Sequence, residues 1–198
     1  ASEDGASYYL LSYYLDTKNT KAGWRQIKVK LKDKDLEVRA RKGFFVTNAT
    51  MNPEATRVND MNFAIAAPFE ATGIPFEMQW GATKESVGTE KKQVSFSLHI
   101  FGPDITFDGA NNAIDLAVVA VATKPSSMKD GPEATIAGNV SQNIKGNLTP
   151  EKQAIVRSHG IAFSNVIGLE PGQYAVRFVV RDNLSGRMGS VSAPLTVN

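Results

Sequence analysis

The clearest hydrophobic pattern in the chain lies near its C-terminus. From Tyr174 the positions alternate strictly: Tyr174, Val176, Phe178 and Val180 fall on one face and Ala175, Arg177, Val179 and Arg181 on the other. That is the two-residue period of a half-buried antiparallel strand. Pro171-Gly172 just ahead predicts a type II turn, because proline presets φ at the first central position and glycine tolerates positive φ at the second. Tyr174 stands near the strand entry, where β-sandwiches tie a tyrosine hydroxyl to nearby backbone. Pro171, Gly172 and Tyr174 are therefore structural candidates. Residues 182–187 read as a hairpin loop, and Val191, Ala193, Leu195 and Val197 as the returning strand. On this register Arg177 points to solvent, so Arg177→Ala is expected to be nearly silent.

The same period recurs upstream. Ser7 to Leu15 is apolar on both faces, as in a strand with two neighbours. Trp24 to Lys32 alternates, with Ile27, Val29 and Leu31 opposite Lys28, Lys30 and Lys32; after a turn, Leu36, Val38 and Ala40 oppose Glu37, Arg39 and Arg41. This predicts a hairpin with one core face and one basic face, closed into a meander by Gly43 to Val46. Residues 48–59 have little periodicity and read as a linker. Asn59 or Asp60 caps a short helix whose apolar positions are Met61, Phe63, Ala64 and Ala67. Further strands are predicted at Phe76–Trp80, Val94–Ile100, Ile114–Thr123, Val140–Leu148 and from Ile161. The Ala/Val run at 114–123, apolar on both faces, has the pattern of a central strand. Thr149-Pro150-Glu151 supplies an N-cap, an N1 proline and an acidic first turn, so a helix is expected to run from there to Gly160.

The expected architecture is all-β: a three-stranded antiparallel meander over 1–47, the 48–59 linker, and an immunoglobulin- or fibronectin III-like β-sandwich over 60–198. The 198 residues suffice for one large or two small domains. Charge is nearly balanced overall at +2, but the first fifty residues are basic and the remainder mildly acidic. The excess collects on one face, Lys28, Lys30, Lys32, Arg39 and Arg41, which forms the candidate binding surface. No aromatic residues interleave there to stack bases, which argues against nucleic acid and for a solvated face or a docking surface for an acidic neighbour. No run approaches the length of a membrane-spanning helix, and there is no cysteine, so disulfide and thiolate chemistry is excluded.

No catalytic constellation emerges. His99 and His159 are isolated, with no cysteine beside them, and read as surface or capping residues rather than zinc ligands. A Gly-x-Ser-x-Gly elbow and the phosphate-binding glycine motifs are absent. Asp104, Asp108 and Asp115 superficially suggest a calcium loop but lack the alternating oxygen ligands and final Glu of an EF-hand, so plain turns are favoured. The expectation is no cofactor, no metal and no enzymatic activity.

Tyr8-Tyr-Leu-Leu-Ser-Tyr13, Trp24-Arg-Gln-Ile-Lys-Val-Lys-Leu31 and Val38-Arg-Ala-Arg-Lys-Gly-Phe-Phe45 together resemble the segment that follows the von Willebrand factor A (VWA) domain in acidobacterial-type VWFA-related proteins. Leu98-His-Ile with Asp104-Ile-Thr-Phe107, and Pro171-Gly-Gln-Tyr-Ala-Val-Arg177 with Arg181-Asp182, resemble their β-rich tail. The VWA domain and its Asp-x-Ser-x-Ser metal motif are not in this sequence. The resemblance implies a C-terminal fragment of a secreted or cell-envelope bacterial protein, with a non-catalytic structural or protein-interaction role beside a VWA domain. The alternative is a module for carbohydrate or another envelope ligand, using the 104–115 loops or exposed Trp24 and Trp80.

Overall fold

The computed structural model describes residues 23–31, 43–46, 53–67, 69–109, 112–125 and 134–198. The chain is mostly β and divides into two compact units, Ala1–Pro53 and Glu54–Asn198.

In the first unit, β1 (Gly23–Gln26) pairs antiparallel with β2 (Gly43–Val46), with Trp24 opposite Phe45. This antiparallel pairing joins the start of the first expected strand to the segment expected to close the meander. Beyond Gln26, residues 27–31 are described without strand pairing, and Val29 and Leu31 are 38% and 39% exposed. The expected strands at 7–15 and 36–41 lie outside the described residues.

In the second unit α1 (Pro53–Ala66) comes first. It begins six residues ahead of the expected cap, inside the expected linker. Proline at the first position loses no hydrogen bond there, Glu54 suits the positive helix end, and Arg57 bonds Glu54 one turn on at 3.4 Å. Met61 and Ala64 are buried, but Phe63 is 53% exposed; it lies about 160° around the helix from the Met61–Ala64–Ile65 face.

Seven strands follow: β3 (Phe76–Glu85), β4 (Lys92–Ile100), β5 (Ala113–Pro125), β6 (Ala134–Asn147), β7 (Ile161–Leu169), β8 (Gly172–Asp182) and β9 (Met188–Val197). They form two antiparallel sheets, ordered β3-β4-β7 and β6-β5-β8-β9. The Ala/Val run forms β5, which is flanked on both sides as its two apolar faces require. Between β6 and β7 runs α2 (Pro150–His159), with the expected termini: the Thr149 hydroxyl accepts from the Lys152 N–H, and Gly160, at φ 74°, donates to the Val156 carbonyl.

One core lies between the sheets. It is built from inward positions at period two: Val94, Phe96, Leu98 and Ile100 on β4; Leu116, Val118, Ala120 and Ala122 on β5; Tyr174, Val176, Phe178 and Val180 on β8. Phe178 is its centre. Phe96 meets it edge-on at 5.1 Å between ring centroids, and Trp80 at 5.5 Å. At one open side the Trp80 indole N–H crosses to the Pro194 carbonyl of β9 (3.1 Å), and at the other Asn165 of β7 donates to Gln142 of β6 (2.9 Å).

The entry to β8 departs from the expected turn. Gly172 takes positive φ, but at 153°, well beyond the +80° of a type II turn. It already pairs with Val197 as the first residue of the strand. The Tyr174 hydroxyl donates to the Glu170 carbonyl (2.9 Å), and burial, with the Glu170 charge beside it, raises the phenol's pKa.

The outward face of β8 corrects the alternation argument. Val179 and Arg181 are buried and Arg177 half-buried, because α1 lies across them, with Met61 and Ala64 against Val179. Arg177 donates to the carbonyls of Ala64 (3.2 Å) and Phe69 and to the Ser192 hydroxyl (2.8 Å). The expectation of a silent Arg177→Ala therefore gives way to its opposite. Arg177→Ala should lower the unfolding free energy by about 2 kcal/mol, since it removes charge-assisted bonds to two carbonyls. Tyr174→Phe should lower it by about 1 kcal/mol. Urea denaturation of the two variants beside the parent measures both, and an Arg177→Ala loss below that of Tyr174→Phe contradicts the packing described.

Candidate functional site

The densest polar arrangement among the described residues spans the outward face of the four-stranded sheet at the β8–β9 hairpin end. It begins with Arg181, 6% exposed. A buried guanidinium needs acceptors for its fixed fork of donors. Arg181 finds them in Asp60 of α1, bonded through Nε (3.2 Å) and Nη2 (2.7 Å), and in the Asn183 side-chain oxygen (2.8 Å). The Asn183 amide nitrogen donates in turn to Asp115 of β5 (2.7 Å), whose other oxygen meets Lys145 of β6 at 3.1 Å. The chain Asp60–Arg181–Asn183–Asp115–Lys145 thus joins α1 to β8, β5 and β6. Burial works against the Asp115 carboxylate, but the hydrogen bonds from Asn183 and Lys145 and the charges of Lys145 and Arg57 outweigh it and hold its pKa below the usual aspartate value.

Asp182 alongside is completely buried. One oxygen accepts from the N–H groups of Leu184 (2.8 Å) and Ser185 (3.2 Å) in the hairpin loop; the other accepts from Thr106 N–H (2.8 Å) in the connection between β4 and β5. A single carboxylate therefore shapes one loop and fastens a second to it. Asp182 also donates its own N–H to the Arg187 carbonyl and accepts from Gly186 N–H.

A strap after α1 completes the face. Residues 70–74 run along the free edge of β9: Gly73 and Ile74 donate to the Met188 carbonyl, Ser190 donates to the Ala71 carbonyl, and Ser192 N–H donates to the Glu70 carboxylate (3.1 Å). Gly189 is obligatory here, because a Cβ at that position would collide with the Ile74 carbonyl oxygen.

The residues singled out from sequence take different places. Lys28 and Lys30 are exposed, whereas Lys32, Arg39 and Arg41 lie outside the described residues. Asp104 and Asp115 converge on no common point: Asp104 faces Arg187 at 3.5 Å, Asp115 faces Lys145, and Asp108 bridges to Ala113 in a short turn. No group of three or more possible metal-ligating side chains occurs among the described residues. His99 points outward and meets Phe101 edge-on at 5.1 Å; His159 ends α2, bonded through Nδ1 to the Ser158 hydroxyl. Trp80 is half-buried, packed against the core with its N–H committed to Pro194, which corrects its reading as an exposed stacking platform. Nothing is described of the Trp24 side chain.

Sequence reasoning missed the roles of Asp60, Arg177, Arg181, Asp182 and Asn183. One signal was available: two arginines at alternate positions of an otherwise apolar strand, with an aspartate in the helix expected upstream. Their meeting depends on α1 crossing the sheet, which no local pattern encodes.

No helix among the described residues is long and apolar enough to cross a membrane. The chain matches no known protein-family profile and no curated protein. Solved structures similar to parts of it include the β-glucosidase DesR from Streptomyces venezuelae in complex with D-glucose (9% identity, TM-score 0.28, 62% of this chain and 15% of that one) and a β-glucosidase from Listeria innocua (9% identity, TM-score 0.30, 63% and 16%). The chain thus corresponds to about a sixth of the length of either enzyme, and a likeness this low carries no argument about fold or function.

The lowered Asp115 pKa has a signed consequence. A carboxylate depressed by folding contributes stability that is present above its unfolded pKa and is lost as the pH falls through the folded value. Asp115→Asn removes this contribution, so the urea midpoint of the variant should fall less than that of the parent between about pH 6 and pH 3. Parallel pH profiles for the two proteins would contradict the assignment.

Proposed function

We propose that this chain is a non-catalytic structural and protein-interaction module of a secreted or cell-envelope protein of the VWFA-related kind, and that its second unit is an immunoglobulin- or fibronectin III-like sandwich. The strand order supports the fold reading. Lettered as in such sandwiches, β3-β4-β7 take the places A-B-E and β6-β5-β8-β9 the places C′-C-F-G. Tyr174 then lies at the start of strand F with its hydroxyl returned to a carbonyl four residues upstream, the pattern of a tyrosine corner.

The observation that carries the functional reading is where the buried polar groups point. Arg181 and Asp182, the charged side chains buried among the described residues, are saturated by Asp60, Asn183 and loop N–H groups of the same chain. Half-buried Arg177 is likewise committed to carbonyls of the same unit. Active sites aim such groups at a cavity; here they fasten helix, loops and sheet to one another, which suits a structural spacer. Exposed Lys28 and Lys30 suit an acidic protein neighbour, and a VWA domain encoded upstream would provide a neighbouring partner.

A second reading, binding of a carbohydrate or another envelope ligand, has one observation in its favour. The outward face of β3-β4-β7 carries a shallow depression of about 140 Å³ lined by Glu77, Gln79, Ser97, Leu98, His99 and Ala162, a mostly polar set.

Two experiments separate the readings. On a glycan array followed by calorimetry, the spacer reading expects no saturable binding; saturable binding that disappears in Gln79→Ala would overturn it in favour of the second. The reading frame upstream of Ala1 in the source genome is expected to encode a VWA domain with an Asp-x-Ser-x-Ser motif, and an unrelated domain there would overturn the family assignment.

A further inference from the structure

We infer that α1 and the strap behind it form a separately releasable latch, which peels from the sandwich before the sandwich itself opens. Three observations carry this. First, the helix does not share the main core. That core joins residues of both sheets, whereas α1 belongs to a second, small cluster in which Met61 and Ala64 meet Val179, flanked by Ile65, Val119 and Met188. Regions with few buried apolar contacts open at the low end of the local stability range. Second, most of what holds the latch is polar and arranged in series. It comprises Arg181 on Asp60, Arg177 on the Ala64 and Phe69 carbonyls, Glu70 on Ser192 N–H, and then the backbone bonds of Ala71, Gly73 and Ile74 to β9. Third, the latch has a defined end. Ile74 is 1% exposed and sits in the main core, so release that starts at α1 stops there.

The geometry is a hairpin laid on the sheet. Asp60 lies at Arg181 and Ala64 at Arg177; the strap then climbs from Ser192 back to Met188, and these β9 residues pair with Arg177 and Arg181 respectively. The chain therefore leaves the sheet at nearly the level to which it returns. Freeing residues 54–73 would convert this compact return loop into 20 residues of extended chain, a gain in contour length of roughly 50 Å at about 3.4 Å per residue once the native span of the helix end and its height over the sheet are subtracted. Because α1 starts at Pro53, the last residue of the first unit, and supplies the opening residues of the second, tension entering from the N-terminal side loads these bonds one after another instead of shearing the strands together. The latch would give the module a short, reversible extension, whatever the module binds.

The chain contains no cysteine, so Pro53→Cys and Asn198→Cys in the full chain place pulling handles on either side of the latch and sandwich without competing thiols. In an optical trap the expected record is a first step at low force with a contour-length gain of roughly 50 Å, reversible on relaxation, followed by the larger rupture of the sandwich. Hydrogen exchange on the unmodified chain should show amides of 54–66 exchanging at least tenfold faster than those of β4, β5 and β8. Asp60→Asn should raise the exchange of the helix a further several-fold and leave those strands unchanged. A single rupture that releases helix and sandwich together, exchange of α1 at the rate of the core strands, or equal acceleration of helix and strands by Asp60→Asn would each overturn the proposal.

Discussion

A guanidinium removed from water must be given acceptors, and β8 carries two on the face that period-two alternation turns away from the core. That requirement organises the outside of the second unit. Arg181 fixes Asp60 at one level and Arg177 fixes two carbonyls at the next, so the axis of α1, the reversal after it and the start of the strap along β9 are set by where these side chains can reach. The apolar contribution is small by comparison, since Met61, Ala64 and Val179 fill only the space between the two charged ties. Two covers of different kinds thus protect the four-stranded sheet: a broad apolar one inside, centred on Phe178, and a narrow, mainly electrostatic one outside.

The inner cover was legible from the sequence because it depends on local rules. Strand period, the Thr149-Pro150 helix start, the Gly160 stop and the doubly apolar Ala/Val run each follow from a few neighbouring residues, and each appears in place. The outer cover was not. Arg177 and Arg181 read as solvent-facing because alternation assigns the second face of an antiparallel strand to water by default, and only a long-range crossing overrules it. The same crossing explains why α1 extends into residues whose composition reads as linker. Helix propensity between Pro53 and Asn59 is unremarkable, and much of helical stability comes from packing, here on a sheet more than a hundred residues away in sequence. Asp182 was hidden for a related reason: a hairpin loop normally lies in water, and its carboxylate is buried by Thr106 from a different connection.

In the first unit the alternating segment Ile27 to Leu31 continues directly from the ladder in which Gly23 to Gln26 pair with Gly43 to Val46. The basic side chains that share the segment stay in water, which suits Lys28 and Lys30 to contact with another molecule and gives them no part in the core.

The edge of β9 carries a consequence for crowded conditions. An arriving strand can add to a sheet only where an edge offers unpaired N–H and carbonyl groups. Along β9 the Met188 carbonyl is taken by Gly73 and Ile74, the Ser190 N–H by Ala71 and the Ser192 N–H by Glu70. At the next outward position Pro194 has no N–H to give, and the Trp80 indole holds its carbonyl. From Ser190 to Pro194 this margin therefore offers no outward N–H to an arriving strand, so neighbouring copies at high local density, as on a packed surface, find no donors there for growing one continuous sheet out of many.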